Sequence, residues 1–223
     1  MITPGLFITG TSTEVGKTHV AAMIARALVA EGRRVGVYKP VASGCREAAG
    51  ELASDDAVAL WEAAGRPGEL QLVCPQRFRA PLSPPRAAAA AGLRVDAALL
   101  RSGLDYWRST SDVVLVEGAG GLMSPLSDED YNIDLAAELG FPLVIVAANE
   151  LGVINQALQT LITARAKAPA LRIVGIVLNQ AALREDDASL ASNAEELAAR
   201  CDVPLLAIVG YRQQAFEPSV EWI

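Results

Sequence analysis

Residues 10–18 read Gly-Thr-Ser-Thr-Glu-Val-Gly-Lys-Thr, and this stretch decides the fold that we expect for the chain. The apolar run 6–8 precedes it and is typical of a strand. Val20, Ile24 and Leu28 follow at the spacing of one helix face. A strand, a glycine loop ending in Gly-Lys-Thr and a helix form a cradle for phosphate, because N–H groups at the helix start point at the anion. We therefore expect this loop to bind a nucleoside triphosphate.

The residue types in the loop suit phosphate chemistry. Glycine lets the backbone approach the ligand closely. The Lys17 ammonium would neutralise the β- and γ-phosphates, and the Thr18 hydroxyl would ligate Mg²⁺. Five residues separate Gly10 from Gly16, one more than in the common phosphate-loop pattern. An ordinary glycine turn is the alternative, but the flanking strand and helix favour the phosphate loop.

The composition restricts the class of protein. The chain has 223 residues, 52% hydrophobic and 5% aromatic, and this length fits a single α/β domain over residues 1–223. The formal net charge of −7 argues against nucleic acid as the main partner, because phosphate backbones attract basic faces. No apolar run approaches the roughly 20 residues of a membrane span, and the first residues lack the pattern of a secretory signal. We expect a cytoplasmic protein without a membrane partner.

Cysteine and histidine are scarce. The three cysteines, Cys45, Cys74 and Cys201, are widely spaced and show no zinc-binding pattern with the single histidine. Reduced thiols in a cytoplasmic setting are the simplest interpretation. His19 is interpreted as a packing or surface residue of the first helix. The chemistry then proceeds without histidine, which excludes Ser-His and Cys-His hydrolase mechanisms.

Strand-like apolar runs alternate with helical stretches along the chain. Continuous β-rich runs are typical of strands buried on both faces, and glycine marks the ends of several helical stretches. The predicted strands are 6–9, 35–38, 112–116, 142–147, 173–178 and 204–209. The predicted helices are 16–31, 55–64, 84–91, 95–108, 132–139, 153–167 and 186–200. This alternation predicts an α/β fold of the phosphate-loop (P-loop) NTPase type, with a mostly parallel central sheet flanked by helices on both faces.

Ligands of an open parallel sheet bind at the carboxyl ends of its strands. Polar segments follow five of the predicted strands, and the expected topology brings them to one edge. These segments are 9–18, 39–44, 117–121, 149–155 and Asn179.

Charged side chains at this edge suit phosphoryl transfer. Glu117 ends a predicted strand and opens a glycine-rich turn, so its carboxylate can reach Mg²⁺ held by Thr18. A turn residue bonded to the backbone is the alternative. Asp55 and Asp56 precede a helix and are candidates for a second Mg²⁺ ligand, for a helix cap, or for both. Lys39 leaves the second strand before a proline, and its ammonium is either a surface charge or a second cation that stabilises the transferred group.

Four motifs in this order resemble the dethiobiotin synthetases, ATP-dependent enzymes of biotin biosynthesis. The first is the phosphate loop with Thr9, whose longer glycine spacing matches that family. The other three are Tyr-Lys-Pro-Val-Ala-Ser-Gly at 38–44, Val-Glu-Gly-Ala-Gly-Gly at 116–121 and Leu-Gly-Val-Ile-Asn at 151–155. Each motif alone is weak, and the resemblance is carried by the four together.

The resemblance implies a reaction. A dethiobiotin synthetase converts 7,8-diaminononanoate, CO₂ and MgATP into dethiobiotin, ADP and phosphate. One amine forms a carbamate, ATP phosphorylates it to a mixed carbamic–phosphoric anhydride, and the second amine closes the ureido ring. ATP and Mg²⁺ are thus the implied cofactors. A carbamate beside a triphosphate concentrates negative charge, which agrees with two lysines and a magnesium ion at one site.

The resemblance also implies roles for individual residues. Lys17 and Lys39 are the implied catalytic residues. The implied Mg²⁺ ligands are Thr18, Asp56 and Glu117. The implied nucleotide contacts are Glu14, Val15, Gly16, Lys17, Thr18, His19, Asp56, Glu117, Gly118, Ala119, Gly120, Asn179, Val209 and Gly210. The implied substrate contacts are Thr11, Lys17, Lys39 and Ser43, with Gly152, Val153, Ile154 and Asn155 from the partner subunit of a homodimer.

The chain departs from the family at three places, and two other protein classes share the phosphate loop. The family often shows Ser-Pro-His for 83–85, Asn-His for 155–156 and Ile-Pro for 208–209. Partition and cell-division ATPases carry a lysine early in the loop, where residues 11–13 are Thr-Ser-Thr. Amidotransferase-type synthetases acting on corrinoid acids usually add a glutaminase domain, for which we expect no room in this chain.

Overall fold

The computed structural model describes residues 3–48, 50–184 and 186–223, which form a central sheet with flanking helices. The strands are β1 Gly5–Gly10, β2 Val35–Tyr38, β3 Val41–Ala42, β4 Arg46–Ala48, β5 Glu51–Ala53, β6 Gln76–Arg77, β7 Val113–Gly121, β8 Leu143–Ala148, β9 Ile173–Asn179 and β10 Leu205–Val209. The helices are α1 Lys17–Ala30, α2 Asp55–Ala63, α3 Leu70–Val73, α4 Pro84–Ala90, α5 Ala97–Ser102, α6 Leu104–Thr110, α7 Asn132–Leu139, α8 Val153–Lys167, the 3₁₀ helix Ala188–Ala191 and α9 Asn193–Arg200. Within the described ranges, none of the helices combines the length and apolar composition that a bilayer crossing requires.

Six strands form one parallel sheet in the order β10-β9-β8-β1-β7-β2. β1 lies inside it, paired with β7 on one side and with β8 on the other. The chain first builds the half of the sheet that contains β2 and β7, and then crosses β1 to build the other half. In such a sheet the ligand crevice opens beyond the carboxyl ends of the strands, where the strand order reverses. The phosphate loop leaves β1 at this point.

The sheet is covered on both faces, as the continuous apolar runs predict. β8 shows this directly, because its alternate side chains belong to different clusters. Ile145 and Ala147 pack with buried residues of α8 and α9, whereas Val144 and Val146 belong to the larger cluster that contains the buried face of α1. All residues of β1 are buried as well. Burial on both faces removes the polar–apolar alternation of a half-exposed strand.

The predicted α/β architecture with a parallel sheet is confirmed, and the six predicted strands are the six strands of this sheet. The predicted helix 95–108, however, is two helices, α5 and α6, which meet at Gly103. The buried Tyr38 hydroxyl donates to the Leu99 carbonyl oxygen at 2.8 Å, and a Cβ at Gly103 would lie 2.3 Å from that hydroxyl. The close approach of Tyr38 from the sheet therefore accompanies the break.

The predicted helix 186–200 is divided as well, into the 3₁₀ helix Ala188–Ala191 and α9. Asp187 caps the first piece, because its Oδ1 accepts from the Ser189 N–H at 3.0 Å and from its hydroxyl at 2.6 Å. Such local side-chain bonds compete with a continuous helix. The predictions also lack the two-stranded pairs β3–β6 and β4–β5 and helix α3, whose two to four residues are too few to show a period.

Strand β7 is longer than predicted. The sequence predicts a turn from Glu117 onward, but the strand continues to Gly121. Asn132 holds this extension: its Nδ2 donates to the carbonyl oxygens of Ala119 and Gly121, both at 2.8 Å, and its Oδ1 accepts from the Ala119 N–H at 3.1 Å. A Cβ at Gly118 would lie 2.3 Å from the Asn132 Oδ1, so this approach requires glycine. A contact distant in sequence thus shapes the segment after Glu117.

Candidate active site

The phosphate loop is held against the sheet by β8 and by the end of β9. The Thr11 N–H donates to the Val146 carbonyl oxygen at 2.9 Å. The Asn179 Nδ2 donates to the Val15 carbonyl oxygen at 2.9 Å. Gly16, just before α1, has a φ of 86°, and a Cβ there would lie 2.1 Å from the Asn179 Nδ2. Glycine is required at this position both for the backbone angle and for the approach of Asn179.

Lys39 is buried between two carboxylates. Its ammonium lies 2.8 Å from Asp56 Oδ2 and donates to Glu117 Oε1. The Thr18 hydroxyl donates to the same Glu117 oxygen at 2.9 Å. Lys39 is 3% exposed and Glu117 is 1% exposed, whereas the side chain of Asp56 is 47% exposed. The cluster is therefore closed on the side of the sheet and open toward Asp56.

The parallel register of β2 and β7 explains why Lys39 and Glu117 meet. Tyr38 pairs with Val116, so the next residue of each strand reaches the carboxyl edge beside the other. Asp56 joins them from the first turn of α2.

The two neighbouring aspartates point in different directions. Asp56 reaches Lys39, whereas Asp55 Oδ1 accepts from the Arg46 Nε at 2.6 Å on the surface. Neither is the helix cap, because Ser54 takes that position and its hydroxyl accepts from the Ala57 N–H at 3.3 Å. The rotation of α2 thus brings only Asp56 into the cluster.

Burial and charge set the protonation states of these groups. Burial lowers the pKa of Lys17, whose Nζ donates to the Ser12 carbonyl oxygen at 3.2 Å. Burial alone would also lower the pKa of Lys39, but the Glu117 and Asp56 carboxylates outweigh it and raise that pKa. Burial raises the pKa of Glu117 although Lys39 opposes the shift. Burial would raise the pKa of Asp56 too, but the nearby Lys39 ammonium outweighs burial there, and the pKa of Asp56 is lowered. Lys39 therefore keeps its charge at neutral pH.

The residues predicted to hold Mg²⁺ suit an ion that is bound partly by the protein and partly by the phosphates of a nucleotide. Thr18, Asp56 and Glu117 supply a hydroxyl and two carboxylates around one point. The Glu117 Oε2 is buried and has no hydrogen-bond partner in the described part of the chain. The same part contains no group of three or more His, Cys, Asp or Glu side chains able to hold a metal. Mg²⁺ is usually bound by one or two carboxylates together with substrate phosphates, and this set is of that kind.

A cavity of about 650 Å³ opens at the carboxyl ends of the strands. Its walls bring together residues from four of the five predicted ligand segments and from α2. The predicted site residues that line it are Glu14, Gly16, Lys17, Thr18, His19, Lys39, Ser43, Asp56, Glu117, Ala119, Gly120 and Asn179.

Other predicted site residues lie outside this cavity. Thr11 lines a separate groove of about 390 Å³, where its hydroxyl donates to the Gln156 Oε1 at 3.3 Å. Gly152–Asn155 form the start of α8 and border neither space. The segment 149–155 therefore does not converge with the other four within one chain. The remaining predicted residues that do not line the cavity are Val15, Gly118, Val209 and Gly210.

The cavity also contains residues that the sequence reasoning missed. Gln180 and Ala181 directly follow Asn179, and Tyr211 and Arg212 follow β10 at the same edge. The rule that ligands bind beyond the carboxyl ends of strands, applied to the sixth strand, predicts the last two. The cavity is also lined by Thr13 and Ala42, which lie inside the predicted segments 9–18 and 39–44, and by Gln214, which belongs to none of the predicted segments.

Comparison with known proteins gives the family. A family described as an AAA domain matches residues 4–219. A protein of Rhodopirellula baltica named ATP-dependent dethiobiotin synthetase BioD is 46% identical over 214 residues, which cover 91% of this chain and 82% of that protein. A protein of the same name from Anaeromyxobacter dehalogenans is 43% identical over 195 residues, 87% of this chain and 84% of that one. The chain belongs to the dethiobiotin synthetase family.

Solved structures have the same fold at low sequence identity. A putative plasmid partition protein from Borrelia burgdorferi bound to AMPPNP matches with a TM-score of 0.57 and 11% identity, over 94% of this chain and 86% of that one. The cell division ATPase MinD of Pyrococcus furiosus matches with a TM-score of 0.52 and 16% identity, over 94% of this chain and 84% of that one. These likenesses confirm the predicted fold, and the resemblance to dethiobiotin synthetases is confirmed by sequence.

Replacement of Gly16 tests the phosphate loop of this family member. We expect Gly16→Ala to weaken MgATP binding about tenfold or more, because the added Cβ displaces Asn179 and the loop. Gly32→Ala is the matched control: its φ of 80° is similar, but nothing lies within 4 Å of the added Cβ. Both variants carry about 1–2 kcal/mol of backbone strain. Equal MgATP affinities by titration calorimetry would contradict the assignment of the loop.

The stability of Lys39→Met should depend on pH. Without the ammonium, the pKa of buried Glu117 rises further above its ordinary value of 4.5. A raised acid pKa means that the folded state binds more protons between the two values, so stability falls as pH rises. We expect a loss relative to the natural chain of about 3 kcal/mol at pH 8 and a smaller loss at pH 5.

Urea unfolding without nucleotide or Mg²⁺ measures this difference. Loss of Lys39 also lets burial act on the pKa of Asp56, but that side chain is 47% exposed and should contribute the smaller part of the pH dependence. Adding Glu117→Gln to Lys39→Met should therefore remove most of the pH dependence. An equal loss at pH 5 and pH 8 would show that Glu117 does not titrate against Lys39.

Proposed function

We propose that this chain is an ATP-dependent dethiobiotin synthetase, a ligase that forms the C–N bonds of a cyclic urea. Its substrates are 7,8-diaminononanoate, CO₂ and MgATP, and its products are dethiobiotin, ADP and phosphate. One observation carries the proposal: a buried Lys39 ammonium lies between Glu117 and Asp56 beside the phosphate loop. The relatives named dethiobiotin synthetase support the same activity.

The reaction needs positive charge where two anions meet. One amine attacks CO₂ and releases a proton, which gives a carbamate. A carbamate oxygen attacks the γ-phosphorus of ATP, and ADP leaves. The second amine attacks the carbamate carbon and loses a proton, and phosphate leaves as the ring closes. Lys17 and Lys39 are the catalytic residues that hold the carbamate and γ-phosphate oxygens, and Ser43 on the same wall donates to the carbamate.

The other cavity residues hold the nucleotide. N–H groups of the phosphate loop and of the start of α1 bind the phosphates. The Asn179 Oδ1 is buried and has no partner among the described residues, so it is free to accept from the adenine amino group. Mg²⁺ bound by Thr18, Asp56 and Glu117 would neutralise phosphate charge.

The substrate carboxylate belongs at the start of α8 of a second subunit in a homodimer. Gly152 has a φ of 97° and provides no side-chain cap. The N–H groups of Ile154 and Asn155 have no acceptor within the described ranges, and free N–H groups at a helix start attract carboxylates. Leu151 is 81% exposed, as suits a loop that a partner subunit covers.

The proposal includes the organisation of the chain. Residues 1–223 act as one domain, supported by a buried cluster that includes both Leu6 and Trp222. A cytoplasmic location agrees with the free thiols of Cys45, Cys74 and Cys201.

Product analysis tests the function directly. We expect the protein with diaminononanoate, bicarbonate and MgATP to form a cyclic urea detected by mass spectrometry, with one ADP released per ring. ATP turnover should require both the diamine and bicarbonate. Turnover that is independent of the diamine would instead indicate a nucleotide-switched ATPase of the partition and cell-division type.

Lys39→Met tests the role of the second lysine. We expect kcat for ring closure to fall about 10²- to 10³-fold, because one electrostatic donor to the developing anion is lost. MgATP binding should persist, since Lys17 and the loop remain. Lys167→Met, which removes an exposed ammonium at the end of α8, is the control and should keep full activity. Unchanged kcat in a folded Lys39→Met variant would remove Lys39 from the mechanism.

A further inference from the structure

The loop 149–152 decides where α8 begins and in which direction its first N–H groups point. Asn149 is buried, and its N–H donates to the Asn179 carbonyl oxygen at 2.8 Å. From there the chain moves outward to Leu151 and turns at Gly152, whose φ is positive. Apolar packing holds little of this exposed tip, so its position depends on polar contacts.

Asp187 holds the tip of the loop. Its Oδ2 accepts from the Leu151 N–H at 3.1 Å. Its Oδ1 accepts from the N–H and the hydroxyl of Ser189. Asp187 thus contributes a charge-assisted hydrogen bond to the residue before Gly152, and such bonds are stronger than neutral ones.

Asn193 holds the other end of the loop. It is the first residue of α9 and is 3% exposed. Its Nδ2 donates to the Asn149 Oδ1 at 2.9 Å, to the Glu150 carbonyl oxygen at 3.3 Å and to the Ser189 hydroxyl at 3.2 Å. Ser189 is therefore bonded to Asp187 and to Asn193. We call these three side chains, Asp187, Ser189 and Asn193, the brace.

The brace is directed at the loop rather than at the hydrophobic core. None of the residues of the 3₁₀ helix Ala188–Ala191 is buried. α9 packs on the core through Leu197, whereas the buried amide of Asn193 faces the loop. A buried amide is costly unless its hydrogen bonds are made, so this one restricts the loop to the conformation that satisfies it.

We propose that Asp187 and Asn193 are positioning residues for the diamine. They hold the loop so that the N–H groups of Ile154 and Asn155 face the substrate carboxylate at the partner subunit's site. The inference rests on the proposed function and adds residues that touch neither substrate nor nucleotide. Donors held in place bind an anion better than donors that must be ordered on binding, so loss of the brace should affect diamine affinity before turnover.

Steady-state kinetics of Asp187→Ala and Asp186→Ala test the proposal. Both changes remove one carboxylate from the same segment, but of the two only Asp187 accepts the Leu151 N–H. We expect Asp187→Ala to raise KM for the diamine about three- to tenfold while KM for MgATP stays unchanged. Loss of the cap of the 3₁₀ helix should lower the melting temperature by only about 2–4 °C. Asp186→Ala should match the natural chain. Asp187→Asn keeps an acceptor oxygen and should recover most of the loss.

Hydrogen exchange at the Leu151 amide tests the brace without activity. We expect faster exchange in Asp187→Ala than in Asp186→Ala, because the amide loses its acceptor. If the natural chain forms no cyclic urea, the proposed function fails while this measurement still decides whether Asp187 holds the loop. Equal exchange rates, equal diamine KM values in the two variants, or a parallel rise in KM for both substrates would overturn the proposal.

Mixed subunits test the position of the loop at the partner's site. A dimer of one Lys39→Met and one Asp187→Ala subunit has one site with both an intact Lys39 and an intact loop. Half of the randomly paired dimers in an equal mixture are mixed, so about a quarter of the natural number of sites should show the natural diamine KM. Another quarter, from Asp187→Ala homodimers, should keep the raised KM, so the diamine saturation curve should have two phases. A mixture that shows only the raised KM would assign the loop to its own subunit and overturn the proposal.

Discussion

The contact of the buried Lys39 ammonium with Glu117 and Asp56 is the interaction on which the site depends. A charge in a protein interior is costly unless it is paired and hydrogen-bonded. Two adjacent strands carry the lysine and the glutamate to the same edge, so the pair forms as the sheet forms. The Thr18 hydroxyl, on the same Glu117 oxygen, joins this pair to the phosphate loop. The phosphate loop and the ammonium proposed to hold the carbamate are thereby connected through one carboxylate.

Parallel topology supplies the rest of the frame. The phosphate loop leaves an inner strand, and Asn179 at the end of β9 holds it through the Val15 carbonyl oxygen. The chain that continues from Asn179 lines the cavity with Gln180 and Ala181 and then forms the brace that holds loop 149–152. The segment after β9 therefore lines the cavity and contacts the loop that precedes α8.

The sequence predicted the long strands of the main sheet correctly and failed where contacts between separate elements shape the backbone. Long apolar runs predicted all six strands of the main sheet, because two-sided burial leaves an unbroken pattern. The predicted helix 95–108 was wrong where Tyr38 approaches Gly103, and the predicted turn after Glu117 was wrong where Asn132 extends β7. In each case a side chain from another element lies against the backbone where the prediction fails, and periodicity does not record such contacts.

The sequence by itself determined the phosphate loop, the strand–helix alternation, the family and the set of charges at the ligand edge. It did so because these are local: a glycine spacing, an apolar period, a residue that follows a strand. Only the tertiary structure decided that Asp56 rather than Asp55 meets Lys39, and that Thr11 lies in a second groove with Gln156. These outcomes depend on the rotation of α2 and on how α8 lies against the phosphate loop. Such positions arise from packing between distant segments, for which a linear pattern carries no signal.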